Sequence, residues 1–165
     1  MLGLASSGPH SNGYSLIRRI VESTGVDLSS PFESTTLGNA LLEPTRIYVS
    51  AVLAALKETT IKGLAHITGG GLVDNVPRVL PGHVVAEIRR DAWPWPPVFD
   101  WLQRSGNVAQ AEMVRVFNCG IGMVVIAASD EASRLARVLA DHGETVYHIG
   151  RVRERKGDEA QTVIV

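Results

Sequence analysis

The sequence predicts an α+β domain in which a mixed sheet is covered by helices. Three observations carry this. Amphipathic stripes and short strand-like runs are interleaved along the 165 residues, without the strict strand–helix rhythm of a parallel α/β fold. The run Met123 to Ala128 is continuously apolar, as in a central strand covered on both faces. Hydrophobic residues make up 45% and charged residues 20%, enough for one substantial core, and no repeat, low-complexity tract or linker divides the chain. A single domain over 1–165 follows.

In chain order, a short apolar lead enters the loop Gly3 to Gly13, and a helix begins near Ser11 to Gly13 and runs to about Thr24. Leu16, Ile17, Ile20 and Val21 form its apolar stripe, and Gly25 is its stop. Ser29, Ser30 and Pro31 interrupt the chain, and a short helix is predicted over 36–42. Thr45 reads as the N-cap of a helix to about Lys57, with Val49, Val52, Leu53 and Leu56 at i, i+3, i+4 and i+7 as its buried face. Leu64 to Thr68 is a strand that empties into Gly69-Gly70-Gly71, and 72–79 supplies one or two helical turns. Val84 to Arg90 alternates as a half-exposed edge strand. Trp93, Trp95 and the intervening prolines make a rigid corner. Helices follow over 97–105, stopped by Gly106, and over 108–116. After the apolar strand, Ser129 or Asp130 caps a helix over 131–142 that Gly143 ends. Final strands over 145–153 and 161–165 flank a charged turn.

Sixteen basic against 17 acidic residues give a net charge of −1, so no basic field exists to drive nucleic-acid binding. The longest apolar run, Ile121 to Ala128, is far too short to span a membrane. No secretory leader pattern opens the chain. One cysteine, Cys119, excludes an internal disulfide framework. A cytoplasmic protein without nucleic-acid or membrane partners is the expectation.

No glycine-rich loop ends in Gly-Lys-Ser/Thr, and no G-x-G-x-x-G occurs, so neither a P-loop nor a Rossmann site is supported. The five histidines lack a metal-ligand spacing, and no metal site is expected. Three loops of small residues remain. In the first, Ser7, Gly8, His10, Ser11, Asn12 and Gly13 precede a helix N-terminus, a place where free N–H groups receive anions. His10 reads either as a loop histidine with local hydrogen bonds or as a ligand-facing group. The second, Thr68 with Gly69, Gly70 and Gly71, allows close approach of a phosphate to the backbone, or a tight packing crossing. The third, Phe117 to Met123, holds Asn118 and Cys119; no base stands beside Cys119, so it reads as an inert thiol. His66, within an apolar strand, reads as a satisfied core histidine. His83, His142 and His148 read as structural or surface residues.

SSGPHSNGYSLIR at 6–18, EPTRIYVSAVL at 43–53, HITGGGLVDNVPRVLP at 66–81, WPPVFDWLQRSGNV at 95–108 and FNCGIGM at 117–123 together resemble the phosphoribosylformylglycinamidine cyclo-ligases, also called aminoimidazole ribonucleotide synthetases. The resemblance runs over the whole chain and covers only the C-terminal domain of that family. It implies a three-layer α/β/α unit with partial ferredoxin-like topology. It implies a role as the substrate-side domain of an ATP-dependent ring closure, in which formylglycinamidine ribonucleotide becomes aminoimidazole ribonucleotide in purine biosynthesis. ATP and Mg²⁺ would be held mainly by an N-terminal domain absent from this chain, so no cofactor is expected here and the chain alone is expected to be inactive. The partners implied are the substrate, that N-terminal domain and a second copy in a homodimer. Ser7, Gly8, His10, Ser11, Asn12 and Gly13 would face the inter-domain cleft, with His10 as the catalytic candidate. Thr68 and Gly69 to Gly71 would form a second wall, and Asn118 would position. The other reading is a stand-alone ligand-binding or interaction module of the same superfamily, without catalysis.

Overall fold

A computed structural model describes residues 1–165. In chain order the elements are β1 (Leu2–Ala5), α1 (Tyr14–Thr24), a small hairpin of β2 (Pro31–Phe32) and β3 (Thr35–Thr36), α2 (Leu37–Leu41), α3 (Val49–Glu58), β4 (Ile61–His66), α4 (Gly71–Asn75), β5 (Val84–Ile88), α5 (Pro97–Ser105), α6 (Gln110–Val116), β6 (Ile121–Ala127), α7 (Ala132–Asp141), β7 (Val146–His148), β8 (Gly150–Glu154) and β9 (Thr162–Ile164). The central sheet has the order β4-β6-β1-β7. Every neighbouring pair in it is antiparallel, with Leu2 opposite both Val125 and His148, and Ala65 opposite Val124. The path β1-α3-β4-β6-α7-β7 with that order is a ferredoxin-like β-α-β-β-α-β unit. Everything else is inserted after β1, after β4 or after β7.

Side-chain alternation divides the core between the two faces of this sheet. Leu2, Leu4 and Val125 pack against Tyr48, Ala51, Val52 and Ala55 at α3 and Leu135, Val138 and Leu139 on α7. On the opposite face Val124 and Ile126 meet Ile17 and Ile20 of α1, Phe99 and Leu102 of α5, and Met113 of α6. Helices therefore cover both sides, giving the three-layer arrangement. Mixed pairing is confined to a second sheet, β8-β5-β9, where β5 runs antiparallel to β8 and parallel to β9.

Helices α1, α2 and α5 stand where the sequence put them, and Gly25 (φ 62°) and Gly143 (φ 87°) close α1 and α7 in the left-handed region. Five expectations need correction. Helix α3 starts at Val49, not Thr45, because 43–48 is drawn across the sheet end by contacts described below. Its buried face is Ala51, Val52 and Ala55, whereas Val49, Leu53 and Leu56 are exposed. Strand β5 is central rather than at an edge, because β8 and β9 pair on either side of it and bury Val85, Ala86 and Ile88. The single strand expected over 145–153 is two strands in different sheets, and α7 carries no side-chain cap.

Candidate functional site

Strands β1 and β4 both run antiparallel to β6, so the end of each lies beside the start of β6. Loops 6–13, 67–71 and 117–120 consequently meet at one end of the sheet. Backbone bonds fix the junction: Ser6 N–H donates to Gly120 O at 2.9 Å and Ile67 N–H to Gly122 O at 2.9 Å. Asn118, with no exposed surface, bolts the first and third loops together. Its Oδ1 accepts from Ser6 Oγ at 2.8 Å and from Gly120 N–H at 2.8 Å, and its Nδ2 donates to Gly8 O at 2.9 Å. Asn12 Nδ2 reaches Ile67 O at 3.4 Å, linking the first loop to the second.

The second loop rests on a residue that the motif reading missed. Asn75, 4% exposed, sets its Nδ2 among the carbonyls of Thr68 (3.2 Å), Gly69 (3.2 Å) and Gly71 (2.8 Å), and its Oδ1 accepts from Thr68 Oγ1 at 3.0 Å. An asparagine four residues after a triple glycine, between Asp74 and Val76 in a short helical run, was the available signal. The glycines divide by role. Gly71 has φ 58°, and a Cβ there would lie 2.1 Å from Val114 O, so it is a backbone crossing; Gly69 has open space around it.

His10 sits in the left-handed region (φ 57°) and is 3% exposed. Its Nε2 accepts from Ser7 N–H at 3.2 Å and Arg46 N–H at 3.4 Å. Two donors on Nε2 leave the ring proton on Nδ1, which is buried without a partner. Burial first, and His66 second, push the ring down to about 4, so it is neutral near pH 7. The bond to Arg46 ties the first loop to segment 43–48. Ser7 Oγ donates to Pro44 O at 2.6 Å, Arg46 Nε pairs with the buried Glu144 at 2.7 Å, and Tyr48 OH donates to Ala5 O at 2.8 Å. Burial, with Glu144 nearby, holds the Tyr48 phenol well above its usual range.

Because the folded ring has the lower pKa, the unfolded chain protonates first. The stabilisation is complete above about pH 6.5, and about 3 kcal/mol of it is lost as the pH falls to about 4. The His10 Cε1–H resonance is expected to stay flat from about pH 8 to about pH 5. A titration with its midpoint near 6.5 would contradict the buried, neutral assignment.

Among the residues singled out in the sequence, Gly8, His10, Gly71 and Asn118 are buried scaffold. Ser7, Asn12, Gly13, Thr68 and Gly70 are half-buried at the junction, and Ser11 and Gly69 are exposed on it. Helix α1 opens from this surface at Gly13 (φ 73°) with no side-chain cap, so its first N–H groups are left for solvent or a ligand. His66 is exposed rather than in the core, and borders an apolar groove with Ile47, Val49, Leu53 and Met123. Ile47 is 80% exposed, Val49 61% and Leu53 55%. The three loops carry no carboxylate, and no cluster of three or more His, Cys, Asp or Glu side chains occurs anywhere in the chain. The site therefore offers N–H and amide donors in place of carboxylates, and does not fit a magnesium ion by itself.

The family model described as "AIR synthase related protein, C-terminal domain" matches residues 1–163. Proteins named phosphoribosylformylglycinamidine cyclo-ligase from Neisseria meningitidis serogroup B and from Burkholderia mallei are each 56% identical over 165 residues. The match covers 99% of this chain and 48% of the first protein, and 100% and 47% for the second. The chain thus spans about half the length of the curated relatives it matches. Two solved structures share the fold at a TM-score of 0.63: hydrogenase maturation protein HypE (17% identity, 99% of this chain, 49% of that one) and thiamine-monophosphate kinase from Stenotrophomonas maltophilia (15%, 99% and 49%).

Proposed function

The chain belongs to the AIR synthase related family, as its C-terminal domain, and on that premise we propose that it forms the substrate side of an ATP-dependent cyclo-ligase. The reaction is the ring closure of formylglycinamidine ribonucleotide to aminoimidazole ribonucleotide. One observation supports the reading above the rest: three small-residue loops, distant in sequence, meet at one end of the sheet around an uncapped helix N-terminus. Ser11, Asn12, Gly13 and the N–H groups of α1 receive a phosphate or amide of the substrate. Thr68, Gly69 and Gly70 form the facing wall. Ser7 borders the cleft, and Gly8, Gly71 and Asn118 shape it. His10, as a buried acceptor, acts by positioning loop one. ATP and Mg²⁺, held mainly outside this chain, would supply phosphoryl activation of the formyl oxygen. The residues here orient the substrate and meet developing charge with fixed donors.

The exposed stripe Ile47, Val49, Leu53 and Leu56 is the docking face for the rest of the enzyme, since isolated apolar patches of this kind mark contact surfaces. The test is a chimera in which this chain replaces the matching half of the Neisseria meningitidis relative. Ring-closing turnover is expected from the chimera and none from the chain alone. Val49→Lys with Leu53→Lys should abolish chimera activity and leave the melting temperature of the isolated chain unchanged. Turnover by the chain alone, or full activity in the double variant, would overturn these assignments.

A further inference from the structure

A second cleft, about 780 Å³, opens between α4, α6 and β9 and shares none of its lining residues with the three loops. Its size lies in the range of small-molecule sites. Val73, Val114 and Ile164 supply apolar surface, and Arg90, Arg115 and Thr162 supply the polar groups that matter. Thr162 is 7% exposed and its Oγ1 has no hydrogen-bond partner. Leaving a buried hydroxyl unpaired costs about 1–3 kcal/mol. Arg90 lies with its guanidinium carbon 3.8 Å from the Trp95 ring centroid, and its Nε is also buried and unpaired. Neither Arg90 nor Arg115 forms an ion pair: the chain's salt bridges engage Arg46, Arg151 and Arg153. The Arg90 guanidinium with its buried unpaired Nε, the exposed Arg115 guanidinium at the rim and an orphaned hydroxyl beside an apolar wall suit a doubly charged phosphate carried on an apolar or aromatic body.

We propose that this cleft is a binding site for an organic phosphate, separate from the loop junction and independent of the function proposed for it. The phosphate meets Arg90, Arg115 and the Thr162 hydroxyl, and the organic body lies on Val73, Val114 and Ile164. Three probes separate charge from body: phenyl phosphate, inorganic phosphate and phenol, each titrated into the 165-residue chain with amide resonances as the readout. Phenyl phosphate is expected to give saturable shifts centred on Val73, Val114, Arg115 and Thr162. Inorganic phosphate should bind at least about tenfold more weakly, and phenol should not saturate. Arg115→Gln, on an exposed helix position, should weaken phenyl phosphate by about tenfold or more. Thr162→Val should weaken it several-fold without lowering the melting temperature, because the hydroxyl it removes has no partner to lose. Shifts centred elsewhere, no saturable shift, or an unchanged affinity in Arg115→Gln would overturn the assignment.

Discussion

Replacing Asn118 by leucine is expected to cost about 3–5 kcal/mol. The shapes are close, so packing is nearly conserved and the effect isolates the hydrogen bonds. Oδ1 stops accepting from Ser6 Oγ and Gly120 N–H, and Nδ2 stops donating to Gly8 O. Gly120 and Gly8 are themselves buried, so water does not replace the lost partners, and each orphaned group costs about 1–3 kcal/mol. At about 2–4 °C per kcal/mol for a domain of this size, the melting temperature should fall by about 6–20 °C. A thermal or urea transition measures it. A fall of less than about 2 °C would mean the loops are held by something other than this amide.

Gly71→Ala is the second large effect, and Gly69→Ala is its control. A Cβ at Gly71 would stand 2.1 Å from Val114 O and 2.9 Å from Phe117 O, both backbone atoms that cannot rotate away. The left-handed φ of 58° adds about 1–2 kcal/mol of strain to about 1–3 kcal/mol of overpacking. The expected loss is about 2–5 kcal/mol, with the C-terminal end of α6 displaced. At Gly69 nothing lies within 4 Å of the added carbon, so stability should be unchanged. Equal destabilisation at the two positions in urea melts would contradict the division of the triple glycine into a packing residue and a surface one.

That division explains what the sequence could and could not reveal. The three loops were legible because glycine, serine and asparagine clusters beside strands have few other uses. Their meeting was not, since it depends on β6 lying between β4 and β1, a pairing across more than 50 residues of inserted helices. Helix α3 misled for a specific reason. Its inward face is Ala51, Val52 and Ala55, mostly small residues, while Val49, Leu53 and Leu56 set the apparent periodicity and point outward. The stripe lies on the surface and not in the core. Segment 43–48 stays out of the helix because His10, Pro44, Arg46 and Tyr48 each hold it to other parts of the chain. No local pattern announces such long-range anchors. His10 is the same case: two donors reach one nitrogen from residues 3 and 36 positions away, and its αL backbone and burial follow from that. Asn75 is likewise defined by its contacts, since its amide is placed by the carbonyls of Thr68, Gly69 and Gly71.

Whether the loop junction meets substrate is decided at Asn12. Its side chain is half-buried and makes one long bond, to Ile67 O at 3.4 Å, so Asn12→Ala should leave stability nearly unchanged. In the chimera with the Neisseria meningitidis half, kcat/KM for ring closure should fall by about 100-fold, as loss of an oriented donor does elsewhere, while the melting temperature holds. A value within about twofold of the unsubstituted chimera would place the substrate somewhere other than this loop.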